Sequence, residues 1–300
     1  MKQTLARLRG FCPVAHRYLV IPQSLRSVTR ANTGKENIII EPQRRNTAAA
    51  ICLAALHIQK NHGPKSIIHV MPADHMIQPK SSFIKTLTFS HRYCKQGYCV
   101  TYGIQPDRPE TGYGYIKIGK LLDKNRYGKA YKGLSFTEKP SHGVARRYLR
   151  TGKYLWNSGI FSFQAATIIG EIKNHAPQVY QGVIRYFKTK QRRYFERVPH
   201  ISIDYAVMEK SDQLCIIQGT FSWDDVGSWL ALERYFPKDA AGNILKGDIK
   251  GLEIDDSIIY TSDIPCKAYG IRGLIIVVSP HGVLVCSKDK APDLKRLMNA

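Results

Sequence analysis

The chain has 300 residues, long enough for one large core or a large domain beside a small one. Its hydrophobic content of 43%, with 23 Gly and 15 Pro, is that of an ordinary globular protein, and no apolar run reaches the roughly 18 residues of a membrane span. The net charge of +22 comes from 45 Lys and Arg spread along the whole sequence, which disfavours a nucleic-acid-binding tail or patch and leaves a basic surface that would steer phosphate-bearing substrates.

The first 35 residues carry seven Lys or Arg and no acid, a loose likeness to a transit peptide. We read them instead as a helix followed by a strand at Tyr18–Ile21, already part of the fold. Ile38–Ile40 predicts a strand, and Asn46 or Thr47 caps a predicted helix running from about Thr47 to Asn61. Ser66–Met71 is a further apolar run, followed by the loop Pro72-Ala73-Asp74-His75, a helix near Ser82–Lys95 and a strand at Cys99–Gly103. This rhythm predicts an α/β fold, a Rossmann-like, mostly parallel sheet with helices on both faces.

Further along, Gly112-Tyr113-Gly114-Tyr115 precedes a strand at Leu134–Phe136, then Trp156-Asn157-Ser158-Gly159 leads into another strand. Leu214–Gln218 runs towards Trp223-Asp224-Asp225. After about Phe236 the strands shorten, turns recur, and no long helix is predicted before Pro292–Met298. We therefore divide the chain into a domain over 1–236 and a small β-rich segment over 237–300. The seven cysteines form no CxxC pair and lie mostly in apolar stretches, as buried free thiols of a reducing, cytoplasmic setting do.

Asp74 and Asp225 each follow an apolar strand, where ligands of open α/β sheets bind, and two carboxylates there suit Mg²⁺. The competing reading is that each is a turn or cap residue. Glu138-Lys139-Pro140 places an acceptor and a cation at a strand end, a pattern that surface turns share. Asn157 is a candidate buried amide that reads hydroxyls. Gly112 and Gly114 permit close backbone approach to a ligand, or simply make a turn, because Lys117 stands where a GxGxxG fingerprint needs Gly. His69 and His75 lack zinc spacing and read as core or loop residues; no nucleophile constellation and no P-loop occur.

Taken together and in order, seven segments resemble the mannose-1-phosphate guanylyltransferase family. They are Glu41-Pro42 through Arg45-Asn46-Thr47-Ala48, Pro72–His75, Pro109–Ile116, Phe136–Pro140, Trp156–Phe161, Ser202-Ile203-Asp204-Tyr205-Ala206 and Trp223–Trp229. The resemblance runs from about Gln3 to the C-terminus and implies transfer of a guanylyl group from GTP to mannose 1-phosphate, giving GDP-mannose and diphosphate. It places Glu41, Arg45, Asn46 and Thr47 around the guanine nucleotide, and Asp74 and Asp225 on Mg²⁺. Gly114, Glu138 and Asn157 would read the sugar, and Lys139 would meet the sugar phosphate. It makes the tail a short β-helical segment. The oligomeric state stays open, with a homodimer the form the family suggests; nucleic acid and membrane are not expected partners.

Ala49 departs from the Pro usual in the family. The larger departure is at the front, where the family has a strand, a Gly-rich loop and a Pro-Lys motif, while Gln3-Thr4 already matches the helix beyond them. Charge-assisted hydrogen bonds from such a loop are worth about 1.5–3 kcal/mol each, so losing three costs about three orders of magnitude or more. Besides an enzyme whose start lies upstream of Met1, two readings stay open: a non-catalytic nucleotide-sugar-binding subunit or regulator, and the product of a decayed gene. The resemblance implies that the purified 300-residue chain is inactive or severely impaired; measurable formation of GDP-mannose from GTP and mannose 1-phosphate would overturn this.

Overall fold

The computed structural model describes residues 1–299. Two compact units follow one another along the chain, Met1–Asp224 and the residues from Asp225 onward. The boundary thus falls ahead of the predicted Phe236. Trp229, Leu230, Leu232 and Phe236 account for the difference, because they pack on the small C-terminal core rather than on the larger one.

The first unit opens with a short helix, α1 (Lys2–Arg7), and a strand, β1 (Tyr18–Pro22). Next come α2 (Arg26–Asn32), β2 (Asn37–Glu41) and α3 (Asn46–His62). β3 (Ile67–Val70), β4 (Met76–Gln78), α4 (Lys80–Lys95) and β5 (Cys99–Ile104) follow the predicted order. A long hairpin, β6 (Tyr115–Asn125) and β7 (Gly128–Thr137), leads through α5 (His142–Thr151) to β8 (Tyr154–Gln164). Helices α6 (Ala165–His175), α7 (Pro177–Thr189) and α8 (Arg192–Glu196) precede a π-helical turn over Asp204–Met208. β9 (Leu214–Gly219) and β10 (Ser222–Asp224) end the unit.

The main sheet has the order β3-β8-β5-β9-β7-β6. β5 and β9 pair in parallel, and β3 runs the same way because antiparallel β8 lies between it and β5. β3, β5 and β9 therefore point one way, with β8 and β7 interleaved against them. Alternation along each strand sends side chains to opposite faces. In β8, Leu155, Phe161 and Phe163 join the core beneath α3, α6 and α7, while Trp156 and Ile160 join the core around α4.

Helix α4 shows why the second face closes. Phe83, Thr86, Leu87, Ser90, Tyr93 and Cys94 are buried at helical spacing, one stripe directed at the sheet. Helix α3 is different. It is Ala-rich, with eight consecutive or near-consecutive residues from Ala48 to Leu56 buried, because it lies among the sheet, α6 and α7. Its expected cap is not a side chain. The amide of Ala48 donates to the carbonyl of Ile201 at 3.3 Å, which satisfies an otherwise orphaned helix-start donor.

β1 and β2 form a separate parallel pair, Tyr18 opposite Asn37 through Pro22 opposite Glu41. Tyr18 and Val20 of β1 and Ile68 of β3 share one hydrophobic cluster with α3. Among the described residues, the edge of β1 away from β2 and the edge of β3 away from β8 pair with no strand.

The second unit holds β11 (Ile244–Lys246), β12 (Ile249–Asp255), β13 (Ile258–Thr261), β14 (Cys266–Arg272), β15 (Leu274–Ser279) and β16 (Gly282–Ser287). Alternate strands stack in parallel, β11-β13-β15 on one side and β12-β14 on the other, as a coiling chain requires. β16 turns back antiparallel to β15. The predicted terminal helix is a 3-10 segment, Lys288–Asn299, with Pro292 inside it; a proline there has no amide for α-helical bonding.

All seven cysteines are free thiols, with Cys52, Cys94, Cys99 and Cys215 buried. No helix among the described residues is long and apolar enough to cross a membrane.

His69 is a core residue. Its Nε2 lies 3.0 Å from Nε2 of His91, and its Nδ1 lies 2.6 Å from the Ser162 hydroxyl, which in turn meets the Tyr102 hydroxyl at 2.6 Å. Burial first, then the facing His91, lowers the His69 pKa to about 3, and burial lowers that of His91 as well. A histidine with a depressed folded pKa contributes its stability in full above the unfolded value near 6.5 and loses it as pH falls towards about 3. At pH 5 the cost is about 2 kcal/mol for His69 alone, from about 1.4 kcal/mol per pH unit. The contribution is read as a difference: between pH 7.5 and pH 5 the urea midpoint of the wild type should lose ground relative to that of His69→Gln.

Candidate active site

Four elements of the first unit bring the predicted sugar-side residues together. Gly114 precedes β6, Glu138 and Lys139 follow β7, Asn157 lies near the start of β8, and the π-helical turn begins at Asp204. The backbone N–H of Asn157 donates to the carbonyl of Gly114 at 2.8 Å, which fixes two of these segments against each other. Gly114 is needed for the close approach of Glu138. A Cβ built on it would stand 2.5 Å from Oε2 of Glu138 and 2.9 Å from the Phe136 ring.

The Lys139 ammonium donates to Oε1 of Glu138 at 2.6 Å, with Lys139 in the left-handed region at φ 45°. That hydrogen bond raises the lysine pKa, and the ammonium remains largely in solvent. The Asn157 amide is nearly saturated. Its Oδ1 accepts from the Thr101 hydroxyl at 3.0 Å and from the Gly159 amide at 3.2 Å, and its Nδ2 donates to Oδ1 of Asp204 at 2.9 Å. One Nδ2–H remains.

Asp204 was not among the residues picked from the sequence for this site. Burial above all, then the charge of Glu138, pushes its pKa up to about 6. The signal that could have found it is the Ser202–Ala206 segment, which matches the family in order but carries no chemistry legible from its spacing.

The base-side residues divide. Glu41 ends β2 with its carboxyl buried, its Oε1 without a hydrogen-bond partner, and its pKa raised to about 7 by burial, partly offset by Arg44. A buried, unused acceptor at the carboxyl end of a parallel strand is what a ligand site supplies. The other three are engaged in the fold. The Arg45 guanidinium donates to Gln43 Oε1 at 3.1 Å and to the carbonyl of Glu196, leaving its Nε unpartnered. Asn46, at φ 65°, accepts from the Thr47 amide at 2.8 Å. The Thr47 hydroxyl accepts from the Ile203 amide at 2.8 Å, which ties the base-side segment to the Asp204 turn.

Asp74 lies exposed on the loop after β3, its carboxylate without a hydrogen bond or ion pair to any described residue. The loop itself is held. The Ala73 carbonyl accepts from the Thr4 hydroxyl at 2.9 Å, that of His75 from Arg7 at 3.0 Å, and His75 Nδ1 from the Trp223 indole at 3.0 Å. A Cβ on Gly159 would sit 3.8 Å from both His75 and Pro72, so the Asp74 loop borders the Asn157 segment. Asp225 opens the second unit, where its Oδ1 accepts from the Gly227 amide at 3.0 Å.

Residues 21–242 match the family described as Nucleotidyl transferase. The chain belongs to that family. Residues 247–300 match the MannoseP isomerase/GMP-like beta-helix domain, in agreement with the stacked parallel strands of the second unit.

The chain is 37% identical over 298 residues to mannose-1-phosphate guanylyltransferase RfbM of Salmonella typhimurium, which covers 96% of this chain and 60% of that protein. It is 35% identical over 313 residues to a mannose-1-phosphate guanylyltransferase of Klebsiella pneumoniae, with 99% and 65% covered. The chain thus spans 60–65% of the length of these two curated relatives. A crystal structure described as mannose-1-phosphate geranyltransferase from Thermus thermophilus matches with a TM-score of 0.86 and 32% identity, over 99% of this chain and 87% of that one.

The contact of Gly114 with Glu138 yields a direct test. Gly114→Ala should cost about 1–3 kcal/mol of stability through overpacking, read from urea unfolding, whereas Gly112→Ala, whose Cβ meets nothing closer than 3.3 Å, should cost less.

Proposed function

We propose that this protein carries the substrate site of a sugar nucleotidyltransferase, of the kind that joins GTP and mannose 1-phosphate into GDP-mannose and diphosphate. The observation that carries the reading is the convergence of Glu138, Asn157, Gly114 and Lys139 at the strand ends of a nucleotidyltransferase sheet. The resemblance to mannose-1-phosphate guanylyltransferases supplies the sugar and the base.

In this reaction a phosphate oxygen of mannose 1-phosphate attacks the α-phosphorus of GTP, a new P–O bond forms, and the bond to the β-phosphate leaves with diphosphate. No covalent enzyme intermediate is needed, so the protein's work is positioning and charge neutralisation. Glu138 accepts a hydroxyl proton of the sugar, the spare Nδ2–H of Asn157 donates to a hydroxyl oxygen, and Lys139 meets the sugar phosphate. Glu41 offers its buried carboxyl oxygen to N–H donors of the guanine, and Arg45, Asn46 and Thr47 frame the same side.

Nucleotidyltransferases of this kind typically use a divalent metal. The exposed, unpartnered carboxylate of Asp74 fits such an ion, and Asp225 is the second carboxylate that the resemblance assigns to Mg²⁺. When bound, the ion neutralises phosphate charge. Free thiols and phosphorylated substrates suit a cytoplasmic setting, and a homodimer is the form the resemblance suggests.

Titration calorimetry of the purified chain with GDP-mannose tests the reading apart from turnover. Saturable binding is expected, with Glu138→Gln and Asn157→Ala each weakening it about tenfold or more, as the loss of one buried hydrogen bond to a ligand does. Absence of binding at millimolar GDP-mannose would overturn it.

A further inference from the structure

The proposed reaction uses Asn157 and Glu138 but leaves out the buried carboxyl that touches one and faces the other. We propose that Asp204 is a positioning residue that holds the Asn157 amide in the single orientation which leaves an Nδ2–H for the sugar. This rests on the sugar-site reading and deepens it.

Donors and acceptors around the amide decide its orientation. Its oxygen faces two donors, the Thr101 hydroxyl and the Gly159 amide, and its nitrogen faces one acceptor, Oδ1 of Asp204. Rotating the amide by half a turn would set its oxygen against the Asp204 carboxyl and its NH₂ against the Gly159 N–H. Both contacts would be repulsive in a half-buried site, where an unmade hydrogen bond costs about 1–3 kcal/mol. The Thr101 hydroxyl can serve either orientation, because its one hydrogen can go instead to the Ile160 carbonyl at 3.3 Å, so the choice rests on the Gly159 amide, which favours the oxygen, and on Asp204, which favours the nitrogen. Without it the amide keeps its oxygen contacts but loses the acceptor that directs its second N–H.

Asp204 is itself held. The preceding residue, Ile203, donates its amide to the Thr47 hydroxyl at 2.8 Å, and Ile201 accepts from the Ala48 amide at 3.3 Å. The π-helical turn that starts at Asp204 is a rare local geometry, and such turns recur at functional sites. The charged groups facing the carboxyl are Glu138 and Lys139 from the segment after β7 and Glu209 from just past its own turn. Two carboxyls and one amide donor complement a hydroxyl: the amide donates a hydrogen bond to its oxygen while Glu138 accepts one from its O–H. The ligand class is therefore a neutral polyol, the pyranose of the nucleotide sugar, and not a further phosphate.

A positioning role and a direct contact differ in what the isosteric variant does. The amide oxygen of Asp204→Asn still accepts from Asn157, whereas Asp204→Ala removes the acceptor. Calorimetry with the full chain at pH 7.5 should show GDP-mannose binding weakened about tenfold in Asp204→Ala and within about threefold of wild type in Asp204→Asn. Affinity for GDP, which lacks the sugar, should change by less than about threefold in both. Equal loss in the two variants would overturn positioning in favour of a charged contact, and equal loss for GDP would overturn it in favour of a general structural role. Unchanged GDP-mannose binding in Asp204→Ala would also overturn it while leaving the proposed function standing. Failure of the wild type to bind GDP-mannose overturns the proposed function, and this inference with it.

Discussion

A half-buried amide has four hydrogen-bonding positions and cannot leave many of them empty, and in this protein the Asn157 amide fills three of its four within the fold. Those three partners come from β5, from β8 two residues past Asn157 itself and from the π-helical turn. The backbone amide of the same residue reaches a fourth segment at Gly114. The position of the candidate sugar site is therefore a consequence of satisfying one side chain. Glu138 enters only because Gly114 has no Cβ, so the carboxylate and the amide are brought to the same place by two independent constraints, one polar and one steric.

Much of the fold was legible because burial imposes periodicity. β5 reads as an unbroken apolar run because all six of its residues are buried, and α4 reads as a helix because only one stripe is. β8 was harder. Its apolar residues serve two cores on opposite faces, which the sequence pattern marks clearly, but nothing in that pattern says that β8 runs against its neighbours. Direction is set by the connection from α5, a tertiary matter. The domain boundary shows the same limit. Texture changes at Phe236, yet Trp229 to Phe236 already pack on the second core, and which of two cores an apolar residue joins is not a local property.

The site was legible in part for a chemical reason. Asn157 stands out because a polar residue abutting a buried strand must find partners, whereas Glu138 and Lys139 form a pattern that surface turns share and are singled out by the resemblance. Asp204 did not, since a single acid between Ile203 and Tyr205 looks the same whether it faces solvent or a buried amide. Thr47 and Asn46 are the converse. They belong to a segment similar to the nucleotide-binding stretch of the family, but in the fold Asn46 accepts from the Thr47 amide and the Thr47 hydroxyl fastens the start of α3 to Ile203. A motif shows that residues sit together; it does not separate those that touch a ligand from those that hold the others in place.

Charge distribution sharpens the same distinction. The chain is strongly basic overall, yet Glu138, Asp204 and Glu209 gather around Asn157, each felt by at least one of the others. A basic exterior favours the arrival of phosphorylated ligands over distances up to about a Debye length, roughly 8–10 Å at physiological salt. It cannot tell one sugar phosphate from another, because every such ligand carries the same anionic group. Discrimination has to come from hydroxyls, and hydroxyls are read by short, oriented hydrogen bonds in a place where water is partly excluded. A cluster of acids beside one amide, in a chain that is basic overall, is the arrangement those two demands produce together. Long-range attraction is delegated to the many dispersed cations, and recognition to a few residues whose geometry the fold has already fixed.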